Sequence, residues 1–283
     1  MTAKFAGIHR ATWSILGLTI FAYACATVIV SAVLFQGRIS ASLRALYAAT
    51  GFLIQSTLVG GLFSLAVVAI MVFAVVRLRP ADVGWNWRDL WLGLLVTLGF
   101  WMAMNAVLAV FAAAGGDITL DEAWKQRGIS AMIGGSMGQL FGNSLVEETM
   151  FRGFLLPQFY LKAIATRRHR AALAFALIGS SLLFAVTHFP NRIYVHGYSG
   201  SEFLWDQIGL FLFGLIMAAA YLVTRNLFIA VGLHSLVNEP TPVIRASDTM
   251  LYAVWAAMTL LLLLAWWLTV ITRRRAESGP RGE

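Results

Sequence analysis

The sequence predicts an all-α polytopic membrane protein with about eight transmembrane helices. Of its 283 residues, 59% are apolar and only 12% are charged, and the mean hydropathy is +0.77. A soluble domain has about 25% charged residues, so this chain has too few to cover a water-facing surface. Soluble globular, disordered and disulfide-stapled secreted proteins are therefore excluded. The chain also contains a series of apolar runs, most of them near the length of about 20 residues that a helix needs to cross a bilayer.

The apolar runs leave no room for a soluble domain, so we expect residues 1–283 to form a single membrane domain. The first run is too long for a cleaved signal sequence, and we expect it to stay as an anchor. The fourth run carries charges and the seventh is short, so hydropathy alone predicts both only weakly. The predicted spans are 11–35, 48–76, 90–114, 130–160, 171–189, 203–224, 226–239 and 251–272.

The distribution of basic residues predicts the orientation in the cell membrane. An even number of spans places both termini on one side, and most Lys and Arg residues fall in the loops on that side. The positive-inside rule therefore predicts that both termini are cytoplasmic. The net charge of +8 is explained in this way and does not indicate a nucleic-acid partner.

Charged side chains inside a bilayer are costly and mark candidate functional sites. The fourth run contains Glu147, Glu148 and Arg152. Glu148 and Arg152 are four residues apart, so they share a helix face and can form an ion pair. Glu147 points about 100° away from that face and has no local partner. We therefore predict that Glu148 and Arg152 form a structural pair, whereas Glu147 faces a cavity as a free carboxylate suited to general-base work.

Two later segments add histidine and amide side chains. His188 closes an otherwise apolar helix, and the spacing of His234 and Asn238 puts both on one face of the seventh run. Imidazole can relay protons, bind metal or donate a hydrogen bond, and an amide both donates and accepts. Each feature alone is more often structural. Their ordered occurrence in three membrane segments favours a functional site.

The stretch from residue 134 to residue 142 is unusually rich in glycine. No lysine follows it, so a phosphate-binding loop is disfavoured, and we expect two helices to approach each other closely at this point. The glycines are Gly134, Gly135, Gly138 and Gly142.

At the charged and histidine-containing segments the sequence resembles the CPBP family. These are the CAAX-protease and bacteriocin-processing intramembrane proteases, also called the Abi family. Their pattern is EExxxR, then FxxxH, then HxxxN or HxxxD. The matching elements are EETMFR at 147–152, FAVTH at 184–188 and HSLVN at 234–238. The resemblance covers about residues 130–240 and implies a CAAX-endopeptidase-like core there, whereas the first three spans and the last rest on hydropathy alone.

The resemblance also implies an activity and a role for each residue. The chain would be an intramembrane endopeptidase in which Glu147 matches the family's catalytic glutamate. With His188, that glutamate would activate a water molecule for attack on the peptide carbonyl. His234 and Asn238 would stabilise the oxyanion, and the neighbouring Glu–Arg pair would support them.

Metal dependence stays open in the sequence. Glu147, His188 and His234 could supply three zinc ligands and leave a fourth position open. A glutamate–histidine mechanism uses the same residues without metal, and we favour it, but the sequence does not separate the two.

Two other functions also stay open. A proteolytically silent membrane scaffold or immunity factor would keep the fold, although an intact set of candidate catalytic residues argues against it. A proton- or ion-coupled transporter would use the buried charges as an ion path, but paired broken helices are not evident. For the protease, the expected partners are the lipid bilayer and a membrane-anchored protein or peptide substrate.

The distance of the candidate residues from the basic loop at Arg167–Arg170 predicts their depth. Glu147 and His188 each lie about 27–30 Å along a helix from that loop, at 1.5 Å per residue. Because the loop is assigned to the cytoplasmic side, we expect the site towards the non-cytoplasmic leaflet.

Overall fold

The computed structural model describes residue 5, residues 7–116 and residues 118–277, with side chains described as far as residue 272. This part of the chain is helical apart from turns and one antiparallel bridge between Leu120 and Ile244. The helices are α1 (Trp13–Ile29), α2 (Gly37–Ala49), α3 (Ser56–Ala69), α4 (Trp87–Ala114), α5 (Glu122–Met137), α6 (Leu145–Glu148), α7 (Leu156–Ala163), α8 (His169–Thr187), α9 (Phe189–Tyr194), α10 (Gly200–Thr224), α11 (Leu227–Asn238) and α12 (Asp248–Glu277).

Several of these helices continue through wider, π-helical turns. Val30–Leu34 extends α1 and Ile70–Val75 extends α3, while Gly138–Ser144 and Thr149–Leu155 join α5, α6 and α7. Residues 122–163 therefore form one long helical stretch, the central run, which is kinked at Gly128 where φ is 73°. π-Helical turns are rare and occur frequently at functional sites, and both turns of the central run flank the two adjacent glutamates.

The spans confirm the all-α polytopic membrane class. In the described part of the chain six helical segments are long and apolar enough to cross a membrane, and α11 is a shorter apolar helix. The fourth and seventh predicted spans are helical but fall outside that group. The fourth carries buried charges, and the seventh corresponds to α11, which has only 12 residues. The six segments are Trp13–Leu34, Ser56–Val75, Pro80–Ala114, His169–Tyr194, Gly200–Thr224 and Asp248–Thr272.

The predicted start of the second span at residue 48 is wrong. Residues 48 and 49 end α2, a separate helix whose residues are mostly exposed. The chain then turns through Gly51 and Phe52, both with positive φ, and the next helix begins at Ser56. The apolar run continues through this turn, so hydropathy does not detect the break that the backbone makes at Gly51.

The central run lies in the core of the protein. Every residue from 146 to 161 is buried, and the largest hydrophobic cluster is built around them. Polar contacts tie the run to distant segments: Trp85 Nε1 donates to Thr149 Oγ1 at 3.0 Å, and Gln158 Oε1 accepts from the Ala11 amide at 2.9 Å. The run is thus held from both the α3–α4 connection and the N-terminal segment.

Close backbone packing fixes the run against α3. A Cβ atom added at Gly61 would overlap the backbone carbonyl of Gly142. Only glycine allows two helix backbones to come this near. The close approach expected from the glycine-rich stretch is therefore observed, and α3 is the helix that makes it.

We predict that Gly61→Ala destabilises the protein, whereas Gly17→Ala does not. Overpacking a tight contact costs about 1–3 kcal/mol, and the added methyl group at Gly61 meets backbone that cannot move aside. A Cβ at Gly17 meets nothing within 4 Å. Thermal unfolding of both variants in one detergent checks this, and equal melting temperatures would contradict the packing described.

Candidate active site

Glu148, Arg152 and His234 form a buried polar cluster. Arg152 Nη1 lies 3.1 Å from Glu148 Oε1, and His234 Nδ1 lies 2.7 Å from the same oxygen. Arg152 Nη2 also donates to the Gly214 carbonyl at 2.9 Å. The predicted Glu148–Arg152 pair is therefore observed, but its carboxylate has a further partner in α11 that the sequence did not reveal.

Glu147 lies between two imidazoles. Its Oε1 is 3.5 Å from His188 Nε2, and its Oε2 is 3.5 Å from His234 Nε2. The side chains of Glu147 and His188 are 9% and 15% exposed, and that of His234 is 2% exposed. The expected meeting of this glutamate with both histidines is thus observed, while their catalytic roles stay a prediction.

The end of α8 explains the orientation of His188. The last carbonyl groups of a helix have no partner within the helix, and His188 follows the last residue of α8. Its Nδ1 lies 2.7 Å from the Phe184 carbonyl oxygen, to which Thr187 Oγ1 also donates at 3.0 Å. The FxxxH spacing thus lets the histidine cap its own helix with one ring nitrogen and present the other to Glu147.

Hydrogen bonds fix the tautomers of both histidines. A carbonyl oxygen only accepts, so Nδ1 of His188 carries the hydrogen. Nδ1 of His234 faces the ion-paired carboxylate of Glu148 and must likewise donate. In each neutral ring Nε2 is then an acceptor, and both acceptors face the carboxylate of Glu147.

Three acceptors that face each other need a shared hydrogen. Among the described residues Glu147 Oε2 is buried without a hydrogen-bond partner. A water molecule, with two O–H groups, or a proton held by one of the three groups satisfies this geometry. The arrangement is therefore suited to binding and deprotonating water.

Aromatic rings form the walls of the cluster. The Phe184 ring lies 4.6 Å from the His188 ring, and the Arg152 guanidinium carbon lies 4.7 Å from the Phe184 centroid. Phe213 meets the ring of His234 edge-on at 4.8 Å. These contacts hold the imidazoles in place and surround the buried charges with apolar side chains.

Asn238 hydrogen-bonds to a residue outside the group of Glu147 and the two histidines. It is the last residue of α11, one turn beyond His234, and it is exposed. Its Nδ2 donates to Gln139 Oε1 at 3.2 Å rather than to either imidazole. The sequence did not predict a role for Gln139, because no motif or residue spacing distinguishes this glutamine from other polar residues.

The candidate zinc ligands do not form a metal site in the geometry observed. Imidazole and carboxylate are suitable ligand types for zinc. Within the described ranges, however, no three His, Cys, Asp or Glu side chains are placed to hold a metal ion.

The cluster lies at the ends of α8 and α11. His188 follows the 19 residues of α8, about 28 Å from the start of that helix at 1.5 Å per residue. Glu147 lies about 24 Å along the central run from the end of α7. Both values place the cluster far from the basic loop that joins α7 to α8. Its location in the non-cytoplasmic leaflet stays a prediction of the positive-inside rule.

We predict that Glu148→Gln destabilises the protein far more than Glu147→Gln. The first change leaves Arg152 and His234 without their carboxylate, and breaking a buried pair from one side costs about 3–5 kcal/mol. The second removes a charge whose histidine contacts are too long for hydrogen bonds. Melting temperatures of both variants in detergent measure the difference.

The double variant Glu148→Gln/Arg152→Gln is the matched control. It removes both charges of the pair, so it should recover part of the stability that Glu148→Gln loses. If Glu147→Gln were the less stable single variant, the division between a structural and a free carboxylate would be reversed.

Comparison with known proteins finds a similarity for one segment of the chain. Residues 129–239 match the family model described as type II CAAX prenyl endopeptidase Rce1-like. No match was found among curated proteins or among solved structures. The matched segment, less than half of the chain, contains all the residues of the buried cluster together with Asn238 and Gln139. Over this segment the chain is therefore similar to the Rce1-like CAAX proteases.

Proposed function

We propose that the protein is an intramembrane endopeptidase that hydrolyses a peptide bond of a membrane-associated protein or peptide. The observation that carries the proposal is the buried carboxylate of Glu147, which faces Nε2 of both His188 and His234 at 3.5 Å. The family match supports CAAX-type endopeptidase activity in general. The roles below are our proposal for this chain.

Glu147 and His188 would activate the attacking water. A water between them can donate one hydrogen to the carboxylate and the other to the imidazole, which directs its oxygen towards the substrate carbonyl. As the C–O bond forms, Glu147 takes one proton. When the C–N bond breaks, that proton passes to the leaving amine, and the remaining O–H group stays on the new carboxyl group.

His234 would stabilise the oxyanion from the side of α11. Glu148 accepts from its Nδ1–H, so the ring is held with Nε2 towards Glu147. With a hydrogen also at Nε2, this ring would donate to the oxyanion of the tetrahedral intermediate.

Asn238 would supply a second donor to the oxyanion from the exposed end of α11. It shares a face of α11 with His234, and its Nδ2 has two hydrogens, one of which is directed to Gln139. Removing one donor of an oxyanion hole typically lowers kcat about 100- to 1,000-fold.

We predict that Glu147→Gln abolishes cleavage and leaves the protein folded. An amide keeps the shape of the carboxylate but cannot take the proton from water. The assay incubates purified protein with a membrane fraction and maps new N termini by mass spectrometry. Glu122→Gln is the matched control, because Glu122 is partly exposed and pairs with Lys125 and Arg245 at the surface. Wild-type cleavage by Glu147→Gln, or no cleavage by the wild type, would contradict the proposal.

We also predict that cleavage does not depend on a bound metal. Zinc bound to the imidazoles would have to take the Nε2 positions that the proposed mechanism uses for proton transfer. The rate should therefore be unchanged by 1,10-phenanthroline, and elemental analysis should find less than stoichiometric zinc. Loss of activity to the chelator, reversed by added zinc, would show a metal-dependent enzyme instead.

A further inference from the structure

We propose that Gln139 is a positioning residue that fixes the amide of Asn238 for the oxyanion. This inference rests on the proposed function. Gln139 Oε1 accepts from Asn238 Nδ2 at 3.2 Å across 99 residues of sequence. One hydrogen of the Asn238 amide is thereby directed to Gln139, and the plane of the amide is fixed.

Asn238 needs such a contact because of its place in the fold. It ends α11 and is exposed, so packing does not restrict its side chain. A free side chain would lose rotamer freedom each time it bound the oxyanion. A donor that is already oriented avoids that cost, which is the basis of electrostatic preorganisation.

Gln139 is itself held on a rigid element. It lies in the π-helical segment Gly138–Ser144, which packs on α3 and on α11. A Cβ added at Gly142 would lie 2.6 Å from the Thr57 carbonyl oxygen. The glycines therefore allow this segment to pack closely against α3. This packing places Gln139 beside the end of α11. The glycine-rich stretch thus contributes Gln139 to the proposed site in addition to its close contact with α3.

The test is a double-mutant cycle between Gln139→Met and Asn238→Ala, with kcat and KM measured on one cleaved substrate. Methionine has a similar length but no acceptor oxygen. We expect Gln139→Met to lower kcat about tenfold with KM within about twofold. In the Asn238→Ala background the same change should have no further effect, because there is no amide left to orient.

Gln55→Met is the matched control. Gln55 Nε2 donates to the Ala131 carbonyl oxygen at 3.5 Å, so this variant also removes a glutamine contact to the central run. It should leave kcat unchanged. Wild-type kcat in Gln139→Met, or an equal loss with and without Asn238, would overturn the inference.

A second readout does not depend on activity and separates this inference from the proposed function. With asparagine labelled by ¹⁵N, the side-chain amide signals of Asn238 should move or broaden in Gln139→Met and stay in place in Gln55→Met. Unchanged signals in Gln139→Met would refute the positioning role. Cleavage by Glu147→Gln would instead refute the proposed function.

Discussion

One buried carboxylate holds the site together. Glu148 accepts from His234 at 2.7 Å and pairs with Arg152 at 3.1 Å, so it joins the central run to α11. Arg152 extends the contact to the backbone of α10. Because unpaired charges are so costly in a bilayer, these helices cannot separate without exposing an arginine or a carboxylate. The position of His234 opposite Glu147 depends on this constraint, and so does the chemistry that we propose.

The same constraint explains why two adjacent glutamates differ. Glu148 is committed to its two partners, whereas Glu147 faces the Nε2 atoms of two rings whose Nδ1 atoms are already engaged. The structural carboxylate thus sets the tautomer of one histidine, and a helix-capping bond sets that of the other. The Nδ1 contacts orient the two imidazoles towards the carboxylate of Glu147. Together these three groups form a site in which a water molecule can be bound and deprotonated. The segment that contains these residues is similar to the type II CAAX prenyl endopeptidases, and the catalytic roles and the substrate are part of the proposed function.

Sequence reasoning reached the parts of this site that depend on local spacing. The four-residue step from Glu148 to Arg152 predicts their pairing, and the 100° offset predicts that Glu147 points elsewhere. The meeting of three distant segments was suggested by their order and by the family resemblance. The bond between Glu148 and His234 joins residues 86 positions apart, and no helical periodicity encodes such a contact. The separate helix α2 was missed for a related reason, since composition records how apolar a run is and not where its backbone turns.

In the proposed reaction, Glu147 and the two imidazoles bind the tetrahedral intermediate of peptide hydrolysis. The most direct measurement is the structure of the protein bound to a phosphinic peptide, which mimics that intermediate, together with its inhibition of cleavage. We expect competitive inhibition, with one phosphinate oxygen about 3 Å from the carboxylate of Glu147 and the other facing His234 and Asn238. An inhibitor that binds with its phosphorus away from Glu147, or that does not compete with substrate, would contradict the account.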